Sequence, residues 1–269
     1  EQILNWFYYP NTPANQKHLT EITTAKSESE FSKGKFPLIL YTPSYQASSI
    51  ENFALCEFLA SHGFVVISSP SRGTETRWFS NNNAMEMETQ ARDVEFLIKE
   101  AGKFQFVDYD KIALMGFSFG GLSNIIAQNR NDHIKAILSL DGTERYQYGL
   151  LKQSPFFDVQ NINVPYVHMA QKEIPEIVLK EDNIDAELNT KFTLYDSITN
   201  SKAYQLKFHN LTHSYFSTLG VLFGNRDQRQ DKSDAEIMES YRLVSNYILN
   251  FIDAFLLDDK EALKFIETQ

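Results

Sequence analysis

A serine flanked by glycines lies near the middle of the chain, in the stretch LMGFSFGGLS that runs from Leu114 to Ser123. Gly116, Ser118 and Gly120 form the pattern G-x-S-x-G, in which a serine on a sharp strand-to-helix turn can act as a nucleophile. Three positions of such common residue types also recur by chance. The pattern therefore needs a strand before it, a helix after it, and a base and an acid elsewhere in the chain.

The residues around Ser118 have the periodicity that such a turn requires. KIALMG, from Lys111 to Gly116, is a short apolar run typical of a buried strand, and GGLSNIIAQNR is typical of a helix that begins near Phe119. Side chains at positions 116 and 120 would collide with the neighbouring strand and helix, so glycine suits both. The first amides of the helix face the attacked atom and favour negative charge there. The sequence predicts that Ser118 is a nucleophile rather than a structural serine.

A serine hydroxyl needs a base to take its proton, and the chain has 6 histidines. His209 and His213 both follow the last predicted strand, in the segment FHNLTHSYF. His213 stands farther into the loop, where Tyr215 and Phe216 can anchor the next helix. We favour His213 as the base, with His209 as the alternative.

The acid of a hydrolase with this motif lies between the serine and the histidine in sequence. Asp141 directly follows the predicted strand Ile134 to Leu140, and Glu173 follows the predicted strand Val164 to Ala170. We favour Asp141, because its strand adjoins the nucleophile strand and its side chain is shorter and stiffer. Glu173 stays the alternative, since Asp141 opens the turn-forming group DGT and could serve only in an Asx turn.

Apolar runs alternate with amphipathic stretches over most of the chain, which predicts a mostly parallel sheet with helices on both faces. Such a sheet binds ligands at the carboxyl ends of its strands. We expect one domain over residues 1–269, in which segments 144–163 and 171–202 either cover a site or are plain surface excursions. The predicted strands are Phe36 to Thr42, Phe64 to Ser69, Lys111 to Gly116, Ile134 to Leu140, Val164 to Ala170 and Ala203 to His209.

Composition limits the classes of function. A formal net charge of -10 argues against a nucleic-acid partner, which clustered Lys and Arg would have to bind. No stretch is apolar enough to span a membrane, and one cysteine allows no internal disulfide. No zinc, calcium, phosphate-loop or dinucleotide motif is present, so we expect neither metal nor cofactor. We expect a soluble protein, either cytoplasmic or exported with its leader removed, and its oligomeric state stays open.

These segments together resemble the plasma-type platelet-activating-factor acetylhydrolases, a branch of the α/β-hydrolase superfamily related to dienelactone-hydrolase-like proteins. The resemblance spans Phe36 to Phe216 and implies an α/β-hydrolase fold in which Ser118 is the nucleophile, Asp141 the acid and His213 the base. The segments that carry it are FPLILYTPSYQASSIENFALCEFLASHGFVVISSPSRG, GFSFGG, LSLDGT and THSYF.

The resemblance also implies an oxyanion hole made of two backbone amides, those of Phe119 and Tyr45. The family's loop at Tyr45 usually carries a His-Gly dipeptide, whereas this chain has Pro43-Ser44 and lacks the conformational freedom of glycine. The dienelactone hydrolases proper use cysteine where Ser118 stands, so their particular chemistry is not implied.

The expected function is cleavage of a small-molecule carboxylic ester, with a small or short acyl group, through an acyl-enzyme. Two alternatives stay open: a peptidase or amidase with the same triad, and an inactive hydrolase fold used for binding, which the altered Pro43-Ser44 loop makes credible. Trp78 and Phe79, in SRGTETRWFSNNN, could line an acyl pocket or serve only in packing.

Overall fold

The centre of the molecule is a six-stranded sheet in which all paired strands are parallel. We describe it from a computed structural model, for residues 9–27, 29, 32–73, 83–181, 183–223, 227 and 229–268. The strands are β1 (Phe36–Thr42), β2 (Val65–Ser68), β3 (Val107–Phe117), β4 (Ile134–Leu140), β5 (Tyr166–Gln171) and β6 (Ala203–Phe208). Their order across the sheet is β2-β1-β3-β4-β5-β6.

Helices connect the strands and cover both faces of the sheet. The α-helices are α1 (Pro13–His18), α2 (Phe53–Ser61), α3 (Ala84–Ala101), α4 (Phe119–Asn129), α5 (Tyr148–Leu151), α6 (Glu176–Glu181), α7 (Thr193–Ser197), α8 (Thr218–Leu222), α9 (Asp234–Leu256) and α10 (Lys260–Glu267). Short 3-10 helices lie at Thr143–Arg145, Val159–Asn161, Ala186–Asn189 and His213–Phe216. Helices α3 and α4 pack on one face, and α2, α9 and α10 pack on the other. These positions confirm the predicted sheet with helices on both faces.

The alternation of side chains along β1 shows why these strands read as continuous apolar runs. Leu38 and Leu40 belong to the core under α3 and α4, whereas Ile39 and Tyr41 belong to the core under α2 and α9. All four side chains are buried. A strand with a core on each face needs apolar residues at successive positions rather than at alternate ones.

Strands β5 and β6 differ from their predicted bounds by one or two residues, and two other strands differ from the sequence prediction in a more informative way. Strand β2 is half-buried rather than fully buried along its length, because it lies at the edge of the sheet. Strand β3 begins at Val107, four residues before the predicted Lys111, and the added residues are mostly less buried than the apolar part of the strand. An edge position and a partly polar strand end leave little trace in the hydrophobic pattern.

The order of the strands creates a crevice between two of them. From β1 the chain runs outward to β2, and it then crosses to the other side of β1 to form β3. Open α/β sheets bind ligands at such a switch point, outside the carboxyl ends of the strands. Ser118 follows β3 and Tyr45 follows β1, so the fold places both beside this crevice.

Helix α9 is the longest helix among the described residues. The Ser233 side chain and Glu236 form a capping box at its first turn. Among the described residues, no helix combines the length and the apolar character needed to cross a bilayer.

Candidate active site

Ser118 occupies a strained turn between β3 and α4. Its backbone has φ 55° and ψ -121°, a conformation that costs a non-glycine residue about 1–3 kcal/mol. A Cβ atom on Gly116 would lie 2.4 Å from the Gly120 carbonyl carbon, and one on Gly120 would lie 2.0 Å from the Thr42 carbonyl oxygen. The turn therefore requires glycine on both sides of the serine, as the sequence predicts. It also places Ser118 at the amino end of α4, where the helix dipole favours negative charge.

His213 lies in the short 3-10 helix that follows β6, and its ring faces Ser118. The His213 Nε2 atom is 2.9 Å from Ser118 Oγ. The Phe117 ring packs against the imidazole, with 4.9 Å between the ring centroids. About a third of the histidine side chain, 32%, stays exposed. This imidazole is therefore placed to take the serine proton and open enough to meet a substrate or a water.

Asp141 contacts the other nitrogen of the same imidazole. Its Oδ2 atom is 2.5 Å from His213 Nδ1, and its side chain is completely buried. Burial raises the pKa of this carboxyl, but the hydrogen bond and the charge of His213 outweigh it, with a further contribution from the Gln171 amide. The net pKa of Asp141 is lowered, so the carboxylate stays ionised beside the histidine.

Gln171, the last residue of β5, connects the acid to the histidine. Its backbone amide donates to Asp141 Oδ1 and its side-chain Nε2 donates to Asp141 Oδ2, both over 2.9 Å. Its Oε1 accepts the backbone N–H of His213 over 3.1 Å. Sequence reasoning missed this residue, although a polar side chain at the carboxyl end of the strand beside β4 was a usable signal.

The two alternative residues lie outside this constellation. Glu173 is mostly exposed and pairs with Lys207, at 3.4 Å. His209 is exposed at the end of β6. The structure thus brings together Ser118, Asp141 and His213, and leaves Glu173 and His209 at the surface.

The predicted oxyanion residues lie at the same place. Tyr45 and Phe119 line one cavity together with Ser118 and His213. The Phe119 amide belongs to the first turn of α4, and Gly120 allows that turn to touch the loop after β1.

This cavity has a volume of about 710 Å³. Its wall includes Tyr146 and Gln147 from segment 144–163, and Ile174, Ile184 and Leu188 from segment 171–202. Both segments thus contribute side chains to the space in front of Ser118. The size and the mixture of apolar and polar side chains suit a small-molecule ligand.

A buried arginine fixes one wall of the cavity. Arg145, four residues after the acid, donates from Nε to the Leu188 carbonyl over 2.9 Å and from a terminal nitrogen to the Asn189 carbonyl over 2.6 Å. The Asn189 side chain in turn exchanges two hydrogen bonds with the Ile174 backbone. The acid loop and the wall of the cavity are therefore one connected structure.

The residues predicted to line an acyl pocket, Trp78 and Phe79, lie outside the described residues. Cys56, on α2, is half-buried, and burial raises the pKa of its thiol to about 12, which disfavours the reactive thiolate. Within the described part of the chain, no three His, Cys, Asp or Glu side chains are grouped to hold a metal ion.

Comparison with known proteins supports a hydrolase. A family model described as the prolyl oligopeptidase family matches residues 52–173, a range that includes Ser118 and Asp141. No curated protein matches the chain. Among solved structures, the chain is similar to a ferulic acid esterase from Streptomyces cinnamoneus, with 17% identity, a TM-score of 0.62, and coverage of 86% of this chain and 71% of the other. This likeness shows the predicted α/β-hydrolase fold.

Proposed function

We propose that this protein is a serine hydrolase that cleaves a carboxylic ester, with a small or short acyl group, through an acyl-enzyme. One observation carries the proposal. Ser118 Oγ, the two nitrogens of His213 and the Asp141 carboxylate form a continuous chain of hydrogen bonds, at 2.9 Å and 2.5 Å, that opens into the cavity. The arrangement is that of a Ser-His-Asp triad, in which the carboxylate orients the imidazole and the imidazole activates the serine.

The first half of the reaction transfers the acyl group to the enzyme. His213 Nε2 takes the proton of Ser118 Oγ as the oxygen attacks the ester carbonyl carbon. The carbonyl oxygen becomes an oxyanion, which the amides of Phe119 and Tyr45 bind. When the tetrahedral intermediate collapses, the bond to the leaving alkoxide breaks and His213 gives its proton to that oxygen.

The second half uses the same groups on water. His213 removes a proton from a water molecule, whose oxygen attacks the acyl carbon and forms a second oxyanion. Collapse breaks the bond to Ser118 Oγ, which recovers the proton from His213 and releases the carboxylic acid. Asp141 holds the imidazole in the required tautomer and stabilises its charged form in both halves. Each oxyanion donor contributes on the order of 3 kcal/mol to lowering the barrier.

The comparisons accord with this proposal at a coarse level. The prolyl oligopeptidase family match and the ferulic acid esterase likeness both support a serine hydrolase acting on esters or peptides. The resemblance to acetylhydrolases favours a small or short acyl group. We also propose that the chain forms one domain and that segments 144–163 and 171–202 cover the site.

A peptidase or amidase with the same triad is the second candidate, because the family model that matches residues 52–173 is that of a peptidase family. Parallel assays separate the two. We expect turnover of p-nitrophenyl acetate and of a phospholipid with a short acyl chain, and little turnover of aminoacyl anilides. Faster hydrolysis of the anilides at equal concentration would favour the peptidase.

The decisive test is covalent labelling of the serine. We expect a fluorophosphonate probe to label the wild-type protein, and Ser118→Ala to abolish both labelling and ester turnover. An unlabelled wild type would favour an inactive fold used for binding. To identify the acid, Asp141→Asn is expected to reduce kcat by about 10⁴-fold, and Glu173→Gln to leave it nearly unchanged. The reverse pattern would assign the acid to Glu173.

A further inference from the structure

The loop between β1 and α2 lacks the expected glycine, but Glu51 near its end and Gln90 on α3 bind its backbone with their side chains. The peptide between Pro43 and Ser44 is held at both ends. Its carbonyl oxygen accepts a hydrogen bond from Gln90 Nε2 over 2.9 Å, and its N–H donates to Glu51 Oε2 over 2.9 Å. The Ser44 hydroxyl donates to the other oxygen of Glu51. Glu51 thus binds two groups of a single residue in this loop.

The next peptide, between Ser44 and Tyr45, has a defined direction as a result. The Ser44 carbonyl oxygen accepts the N–H of Ala47 over 3.3 Å and closes a turn. In a trans peptide the N–H points opposite to the carbonyl, so the Tyr45 N–H projects away from this turn. Within the described part of the chain, no protein acceptor takes this N–H. Tyr45 lines the cavity that holds Ser118.

Glu51 is itself buried, and it is linked to the opposite side of the site. Its side chain is 5% exposed, and its carbonyl oxygen accepts the N–H of Leu219 over 3.1 Å. The next residue, Asn52, is fully buried; its side chain donates to the Phe216 carbonyl over 3.0 Å and accepts the Thr218 N–H over 2.9 Å. Residues 51 and 52 therefore join the loop of Tyr45 to the segment that follows His213.

We propose that Glu51 is a positioning residue for the oxyanion hole, which orients the Tyr45 amide by binding Ser44 and so replaces the glycine-based loop. This inference rests on the proposed function, because it assumes that the Tyr45 amide binds an oxyanion. A carboxylate suits the task, since its two oxygens can accept several donors at once. The Ser44 amide and hydroxyl and the Tyr41 hydroxyl, at 3.0 Å, are three such donors.

The test compares Glu51→Ala with Glu51→Gln and with a matched control. Glu51→Ala removes both acceptors of Ser44 and is expected to reduce kcat for p-nitrophenyl acetate by at least about tenfold, with KM within about twofold of wild type. Glu51→Gln keeps an oxygen for the Ser44 amide and is expected to restore most of kcat. Glu57→Ala is the control, because Glu57 on α2 accepts hydrogen bonds only from Thr24 among the described residues and should leave kcat unchanged.

A transition-state analogue separates positioning from general stability. An alkyl trifluoromethyl ketone adds to the serine oxygen and leaves an oxyanion in the hole, so its inhibition constant should rise in Glu51→Ala by the same factor as kcat/KM falls. A folded variant with unchanged kcat, or one whose kcat falls while the inhibition constant stays constant, would overturn the inference.

A second variant and a labelling experiment cover the cases in which Glu51→Ala does not fold or the wild type is inactive. If Glu51→Ala does not fold by circular dichroism, Ser44→Ala removes one of the contacts and is expected to show a smaller, parallel loss of kcat and ketone affinity; an unchanged kcat there would overturn the inference. Fluorophosphonate labelling of the wild type is measured first. A labelled wild type with a fully active Glu51→Ala refutes only the role of Glu51, whereas an unlabelled wild type refutes the proposed function and this inference together.

Discussion

The turn that carries Ser118 and the loop that carries Tyr45 lie side by side at the switch point of the sheet, but they keep their shapes by different means. The turn depends on Gly116 and Gly120, whose missing side chains allow backbone to touch backbone. The loop between β1 and α2 has no glycine, and Glu51 near its end binds the amide and the hydroxyl of Ser44 near its start. A locally determined turn leaves a short motif in the sequence, whereas a loop held by separate side chains does not.

The acid and the base, like the loop of Tyr45, are held in place by the side chain of another residue. Asp141 and His213 stand in loops after different strands, and Gln171 from a third position binds both of them. The strained φ of 42° at Asp141 is possible because the surrounding contacts hold it in place, including the bond from its N–H to the Met169 carbonyl at 2.7 Å. Of the three groups, only the nucleophile is flanked in sequence by the residues whose type its turn requires.

Of the substitutions that test this comparison, Gly120→Ala should have the largest effect, because it breaks the contact between the two regions. The new Cβ would lie 2.0 Å from the Thr42 carbonyl oxygen and 2.8 Å from the Pro43 carbonyl oxygen, so backbone must move. We expect the free energy of unfolding to fall by about 1–3 kcal/mol or more, and kcat by about 10²-fold or more. Thermal unfolding and ester turnover measure the two effects.

Gly149→Ala is the matched control for this substitution. Gly149 is exposed, and an added Cβ there would meet no atom within 4 Å. We expect unchanged turnover and stability equal to or slightly above that of wild type. Equal losses in Gly149→Ala and Gly120→Ala would show that the close approach at Gly120 is not what matters.

Gln171→Leu should have an intermediate effect. It tests whether the acid and the base depend on a side chain from another strand to hold them in position. It removes one donor to the Asp141 carboxylate and the acceptor of the His213 N–H, while the backbone bond to Asp141 stays. A hydrogen bond to a charged group is worth about 1.5–3 kcal/mol, so we expect kcat to fall by about ten- to a hundredfold.

The pH profile distinguishes positioning of the acid from simple destabilisation. Because a donor to a carboxylate lowers its pKa, its removal should raise the pKa of Asp141. A more basic carboxylate favours the charged form of the imidazole beside it, so the acidic limb of the kcat profile should move to higher pH. Gln205→Leu, at an exposed position on β6, is the control and should leave the profile unchanged. A Gln171→Leu protein with lower turnover at every pH and an unmoved acidic limb would contradict this role.

The smallest expected effect concerns the stability of the wild type at low pH. The pKa of Asp141 is lowered in the folded state, so this group contributes stability above its unfolded pKa of about 3.9 and loses it as the pH falls through the folded value. We expect the difference in unfolding free energy between wild type and Asp141→Asn to narrow from about pH 5 to about pH 3. Urea unfolding at each pH measures it. A constant difference between wild type and Asp141→Asn over this range would show that the partners of Asp141 in the folded state do not favour the carboxylate.

The fold was predictable because its strands are buried on both faces, which leaves apolar runs such as those of β1 and β4 in the sequence. Strands β2 and β6 depart from this pattern, since an edge position exposes part of each. The order of the strands depends on how all the segments pack together, so no single segment predicts it. The strand order in turn sets the position of the crevice between β1 and β3.

For the candidate site, the sequence by itself determined the turn of Ser118, because its glycines are required by contacts within a few residues and with the adjoining strand end. It also narrowed the acid to Asp141 or Glu173 and the base to His213 or His209, since each follows a strand. Only the tertiary structure decided which of them meet, and it alone revealed Gln171 and Glu51. Glu51 contacts Tyr41 and Ser44, which lie 10 or fewer positions away in sequence. Gln171 contacts Asp141 and His213, which lie 30 and 42 positions away. The contacts of Gln171 join residues too far apart in sequence for a short motif to record.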